Sequence, residues 1–253
     1  MSREVTQRLL DALERSERAV VLTVIEGEPL GAKAIVLEGG EQVGDGIPVA
    51  ALEQADELIR AARNHVLELE DVRVFAEIYG PPPRLVIIGA VDTGDALCAA
   101  AKQLGWETIV ADARAKFATP ERIPHADRLI VKWPEEALAE IGPDHATAVV
   151  VLTHDDKFDI PALKATLATD AFYVGALGSR RNQERRRERL LDEGVDEAEL
   201  ERISGPCGLD LGADSQPETA LSILAEIVAL RAGRSGGRLQ DAKQRIHAEV
   251  RDS

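Results

Sequence analysis

The sequence predicts an α/β fold: a Rossmann-like doubly wound parallel sheet with a smaller N-terminal α+β domain. Three observations predict it. Beyond residue 83, short apolar runs alternate with helical patterns, the order expected of right-handed strand–helix–strand crossovers. The break Gly80-Pro81-Pro82-Pro83 cannot continue a helix or a central strand and favours an extended spacer. The part before that break has a different character, so the domains are placed at 1–80 and 81–253. At 253 residues and 45% hydrophobic, the chain is long enough for one large domain or two smaller ones. Aromatics are only 3%, so Val, Ile, Leu and Ala must fill the core.

The elements follow in order. Val5, Leu9, Ala12 and Leu13 share one helical face over 4–15. Strands are expected at 19–25 and 32–37, with glycine-rich turns between and after them, and a helix at 50–62. Val72, Val74, Ala76 and Ile78 alternate with Arg73, Phe75, Glu77 and Tyr79, the pattern of a half-exposed strand. In the second domain, strands are expected at 85–88, 107–111, 128–131, 148–152 and 171–174. Helices fall at 93–104, 135–141, 162–167 and 179–191. A last helix, 217–231, opens with Ser215-Gln216-Pro217-Glu218, a capping-box spacing with proline in the first turn. The tail beyond Arg231 is expected to be loose or to meet a partner.

Charge and composition exclude several classes. Thirty Lys and Arg stand against 45 Asp and Glu, a formal net charge of -15. Nucleic-acid binding needs net or clustered positive charge to neutralise phosphate, so none is expected. Two cysteines, Cys98 and Cys207, form no CxxC pair, which argues against a disulfide scaffold or a zinc ribbon. The charged N-terminus lacks the apolar stretch of a signal peptide. No apolar run reaches the ~18 residues needed to span a bilayer. The expectation is a cytoplasmic protein with no membrane partner.

The turn Gly89-Ala90-Val91-Asp92-Thr93-Gly94 nearly matches the dinucleotide fingerprint, and Asp112 ends the next strand where an acid would meet a ribose hydroxyl. Gly89 suits the tight turn and Gly94 the close helix–strand packing. The middle glycine is replaced by Val91, whose β-branched side chain obstructs a pyrophosphate. Asp92 puts a carboxylate where a phosphate would sit, and is read foremost as a helix cap. NAD(P) or FAD therefore stays open as a disfavoured cofactor.

In a doubly wound order this turn faces Thr153-His154-Asp155, with the Gly175–Arg181 stretch one strand further out. His154 beside acids could act as base, acid or metal ligand, or simply belong to a polar surface loop. The next helix carries six arginines against Glu184 and Glu188. Arg180 and Arg181 in its first turn oppose the helix dipole, a placement best explained by an anion held there by guanidinium forks and the amides of Gly178 and Ser179. Arg185–Arg189 are read as a solvated face. Cys207, in the turn-rich loop 204–213, is read as buried and inert before any ligand role, and Cys98 as core. No catalytic residue is assigned, and no metal ligand can be named.

The motifs VLTHDDKFDIPAL (151–163), YVGALGSRR (173–181), GPCGLDLGA (205–213) and ETALSILAEIVALR (218–231) resemble the XdhC/CoxI family. Its members are accessory proteins that mature xanthine-dehydrogenase-like molybdoenzymes. The segment ADARAKFATPERIPHAD (111–127) is similar to the family's stretch after the second strand. The resemblance implies a factor, without turnover of its own, that binds molybdenum cofactor (a molybdopterin), shields it during sulfuration and helps insert it. It carries the cofactor site onto Gly89, Asp92, Gly94, Asp112, Thr153, His154, Asp155, Gly175, Gly178, Ser179, Arg180, Arg181 and Cys207. The implied partners are a molybdenum hydroxylase client, a cysteine desulfurase and, in a homo-dimer, a second copy of the chain. Two departures stand out: a glycine-poor first turn, and Cys207 where the family usually has isoleucine. The N-terminal glycines are also reduced, to Val43-Gly44-Asp45-Gly46. An NAD(P)-dependent oxidoreductase and a non-catalytic nucleotide-binding regulatory protein are the alternatives.

Overall fold

A computed structural model describes residues 3–243. It divides into two units, one of the described residues up to Pro81 and from Gly237 on, the other Pro82–Gly236. The part of the tail beyond residue 243 lies outside the described residues.

In the first unit, helix α1 (Arg3–Glu14) is followed by strands β1 (Ala19–Glu26), β2 (Lys33–Leu37) and β3 (Gln42–Gly44). Two short helices, α2 (Val49–Leu52) and α3 (Ala55–Ala61), lead to β4 (His65–Glu68) and β5 (Arg73–Tyr79). The strands form one antiparallel sheet in the order β3-β2-β1-β5-β4. Val20, Leu22 and Val24 of β1 face α3, while Ala19 and Val21 face α1, so β1 is buried on both sides. The helix expected at 50–62 is broken at Glu53-Gln54. Strands β3 and β4 are too short and polar to stand out as apolar runs.

The second unit holds a six-stranded parallel sheet. In chain order it contains β6 (Arg84–Ile88), α4 (Asp92–Gln103), β7 (Glu107–Ala111), β8 (Arg128–Ile130), α5 (Pro134–Ile141) and β9 (Thr147–Val151). Then come α6 (Asp156–Leu167), β10 (Tyr173–Ala176), α7 (Arg180–Asp192), α8 (Glu197–Leu200), β11 (Ile203–Ser204) and α9 (Gln216–Arg231). The strand order is β11-β10-β9-β6-β7-β8, the doubly wound order with its reversal between β6 and β9.

Alternation decides the two faces. Val86, Ile88, Val149 and Val151 pack against α5 and α6 residues such as Leu138, Ile141 and Leu163. Leu85, Ile87, Ala148 and Val150 pack against α4 and α9 through Leu97, Ala101, Ile223 and Ile227. Both faces being covered, the strands read as continuous apolar runs. Helix α6 corrects the expected start at 162. It begins at Asp156, and Pro161 lies inside it. Proline removes one backbone donor. The Asp155 side chain caps the helix, and Phe158, Asp159 and Ile160 are buried by it, which offsets that loss.

Candidate functional site

The carboxyl ends of the parallel strands meet where the sheet reverses. Gly89, after β6, has φ +117°, and a Cβ there would lie 2.9 Å from Thr153 Cγ2 and 3.1 Å from its backbone nitrogen. Glycine is needed for both conformation and approach, and it brings the first turn against Thr153 as the topology predicts. A Cβ on Gly94 would meet the Gly89 carbonyl at 3.3 Å, so Gly94 permits the close packing of α4 on this turn.

The turn's amides are largely consumed. Ala90 N–H donates to Asp112 Oδ2 at 2.9 Å, and Val91 N–H to the Gly89 carbonyl at 3.1 Å. Asp112 is buried and accepts from Arg114 Nε at 2.8 Å and Nη2 at 2.7 Å. Burial pushes its carboxyl up, but the bonds from Arg114 and Ala90 outweigh this and hold it below the usual aspartate range. The carboxylate thus locks the turn and positions Arg114 rather than waiting for a ribose. This geometry argues against dinucleotide binding in the usual manner. Asp92 does not cap α4. Val91 is the capping residue, with no side-chain bond, and Asp92 lies exposed, 3.8 Å from Arg122 Nη2.

After β9, Thr153 donates its hydroxyl to Asp159, which is fully buried. Arg186 of α7 closes on the same carboxylate and also donates to the Leu177 carbonyl at 2.7 Å. One buried ion pair therefore ties the loop after β9 to the loop after β10. This corrects the reading of Arg185–Arg189 as a solvated face at Arg186 alone, since Arg185, Arg187 and Arg189 keep 39–53% of their side chains exposed. Arg186 is only 3% exposed, Arg185 and Arg189 pair with Asp156, and Arg187 pairs with Glu197 and Glu201. The missed signal is helical spacing. Arg186 stands four residues before Leu190, the other buried residue of α7, and so belongs to its inward stripe.

His154 is exposed and holds a left-handed φ of +57°, uncommon for a residue with a side chain. Asp155 caps α6 by accepting from Lys157 N–H at 3.0 Å. Gly178 (φ +137°) comes so near Arg186 that a Cβ would lie 3.3 Å from its Nη1. Ser179 caps α7 by accepting from Asn182 N–H. Arg180 and Arg181 are both exposed and form no ion pair among the described residues. Arg180 lines a cavity of about 440 Å³, with Gln183, Arg187, Ile203 and Pro206 among its walls. Arg181 is not among its lining residues.

The remaining candidates, Gly175 and Cys207, lie in packed surroundings. At Gly175 a Cβ would lie 2.6 Å from Tyr173 Cε1, so this glycine leaves room for that ring, whose hydroxyl donates to Glu226. Cys207 is buried, and burial, then the nearby Glu226, pushes its thiol up to about 12. A thiol so reluctant to ionise is a poor ligand. Cys98 is buried in α4 and likewise pushed up to about 12 by burial. Among the described residues no three His, Cys, Asp or Glu side chains group to hold a metal, and no helix is long and apolar enough to cross a membrane.

A sequence family described as the XdhC Rossmann domain matches residues 85–227, more than half of the chain. The chain belongs to the XdhC family. A Bacillus subtilis protein described as a probable xanthine dehydrogenase subunit is 32% identical over 162 residues, covering 64% of this chain and 47% of that protein. The molybdenum cofactor insertion chaperone PaoD of Escherichia coli is 37% identical over 99 residues, covering 39% of this chain and 30% of that one. The crystal structure of a xanthine dehydrogenase from Bacillus halodurans superposes with a TM-score of 0.65 at 26% identity, over 94% of this chain and 66% of that one. The chain spans less than half the length of the Bacillus subtilis and Escherichia coli relatives and about two thirds of the Bacillus halodurans chain. The XdhC match lies within the unit that carries the reversal point, the Asp159–Arg186 pair and the free arginines.

Proposed function

We propose that this protein is a maturation factor that holds molybdenum cofactor for a xanthine-dehydrogenase-like enzyme. The observation that carries the reading is the contrast within α7. Arg185, Arg186, Arg187 and Arg189 are all ion-paired, whereas Arg180 and Arg181 at the helix start form no ion pair among the described residues. Two exposed arginines in the first turn of a helix, near its N-terminal amides in sequence, suit a phosphate. A pterin phosphate fits that donor set. When bound, the cofactor supplies the dithiolene that carries the metal, so no protein metal cage is required. Ser179 and the loop around Gly178 orient the anion, and the buried Asp159–Arg186 pair keeps that loop in register with His154 and Asp155. A relative named as a cofactor insertion chaperone supports the same reading.

Shielding during sulfuration, delivery to a molybdenum hydroxylase, contact with a cysteine desulfurase, homo-dimerisation and a cytoplasmic setting belong to the same proposal. Titration of the purified protein with molybdopterin cofactor tests it. Saturable binding is expected, weakened at least tenfold in an Arg180→Ala/Arg181→Ala variant, since hydrogen bonds to charged groups contribute about 1.5–3 kcal/mol each. Absence of saturation overturns the function, and unchanged affinity in the variant overturns the site.

A further inference from the structure

Aromatic rings and cations are concentrated at one place in a chain that is poor in aromatics and acidic overall. The sequence holds only four Phe, two Trp and two Tyr, and its net charge is -15. Yet Phe117, Trp133 and Phe158 gather beyond the carboxyl ends of β7, β8 and β9. Trp133 and Phe158 lie 5.2 Å apart at 32°. The Arg114 guanidinium sits 4.5 Å from the Phe117 ring and 5.3 Å from Phe158. Lys157 Nζ lies 5.0 Å over Trp133, and Arg122 lies 5.2 Å from Phe117. All are within the ~6 Å at which a cation feels a ring quadrupole. Apart from Arg231 over Trp106, the cation–aromatic contacts of the described residues are here.

Core packing accounts for Phe158, which is buried, and in part for Phe117, but not for Trp133 or the cations around it. Trp133 is 41% exposed, and Arg114 keeps 30% of its side chain in water although Asp112 grips it. Positive charge and flat apolar surface are presented together at the strand ends, where such sheets take ligands. Lone phosphate needs no rings, and a neutral ring needs no cations. The combination suits a ring system that is itself negatively charged or carries a phosphate.

We propose that Arg114, Phe117, Trp133 and Lys157, with Arg122 at the rim and the buried Phe158 packed against Trp133 as support, form a stacking platform for a planar anionic heterocycle, a pterin or a purine. This rests on the function proposed above only in favouring the pterin. Trp133 stacks on the ring, Lys157 swings from the indole to the anion, and Arg114 is held for contact by Asp112.

Tryptophan fluorescence of the full chain tests this with pterin-6-carboxylate, guanosine monophosphate and inorganic pyrophosphate as probes. One or both planar anions should quench saturably while pyrophosphate does not. Which of the two quenches tells pterin from purine. A Trp133→Phe variant, changed at an exposed position, should lose the signal. Followed by titration calorimetry, which needs no fluorophore, Trp133→Ala and Lys157→Ala should each weaken binding about tenfold, the scale of base–aromatic stacking. Silence towards both planar anions overturns the platform, as does quenching that persists in Trp133→Phe. Cofactor that saturates through Arg180 and Arg181 with Trp133 silent overturns the platform alone. Pterin quenching without any molybdopterin saturation keeps the platform and overturns the maturation role.

Discussion

Removing one member of a buried ion pair leaves the other charged and dry, which costs about 3–5 kcal/mol. Arg186 and Asp159 are such a pair, at 3% and 0% exposure. Arg186→Ala should therefore lower stability by about 3–5 kcal/mol in urea denaturation, whereas Arg187→Ala, on an exposed pair, should cost under about 1 kcal/mol. A double Asp159→Leu/Arg186→Met variant should recover much of the loss, because apolar replacement of a buried pair is often near neutral. Asp112 carries a different signature. Its folded carboxyl titrates below the ordinary value of about 3.9. Its stabilisation is thus full above that ordinary value and disappears as pH falls through the lower folded one. Acid unfolding followed by circular dichroism should show this slope in the wild type and a shallower one in Asp112→Asn. The two thiols, both pushed up to about 12 by burial, should resist iodoacetamide at neutral pH until the chain is unfolded.

Turns, not strands, fix where this site forms. Gly89 and Gly105 both have positive φ, but only Gly89 also has a neighbour in the way, whereas a Cβ on Gly105 would meet nothing within 4 Å. Gly105→Ala should show the conformational cost alone, about 1–2 kcal/mol. Gly89→Ala should lose distinctly more in thermal unfolding, because Thr153 must also move. At the far end of the unit, Ser215 and Glu218 form a full capping box on α9. Ser215→Ala should cost about 1 kcal/mol. These comparisons also explain which elements were legible in the sequence. Strands β6, β7 and β9 are packed on both faces and so read as unbroken apolar runs. The two-residue β11 has no such run. The proline in α6 hid its first turn, because a local rule about donors said nothing of Phe158 and Ile160 being buried there. Gly89 and the strand order predicted the meeting with Thr153. Trp133 and Arg114 stand outside every pattern of spacing in the sequence, and only the fold places them beside Phe158.

At the scale of the whole molecule, charge works against the proposed ligand. A net charge of -15 repels an anionic cofactor at long range, while Arg180, Arg181, Arg114 and Lys157 attract it only nearby. The two ranges respond differently to salt. The Debye length shrinks from about 30 Å at 0.01 M to about 8 Å at 0.15 M, so the diffuse repulsion is screened first. Contacts at hydrogen-bond distance are screened far less. Association with an anion usually slows with salt when the protein steers it. Here the association rate should rise over this range instead, and the dissociation rate should rise only modestly. Stopped-flow binding of molybdopterin cofactor at a series of salt concentrations measures both. In the Arg180→Ala/Arg181→Ala variant the association rate should rise more steeply still, because the long-range field becomes more negative while the local attraction is gone. An association rate that instead falls steadily with salt in the wild type would mean that the arginines and lysine govern the field out to the encounter distance.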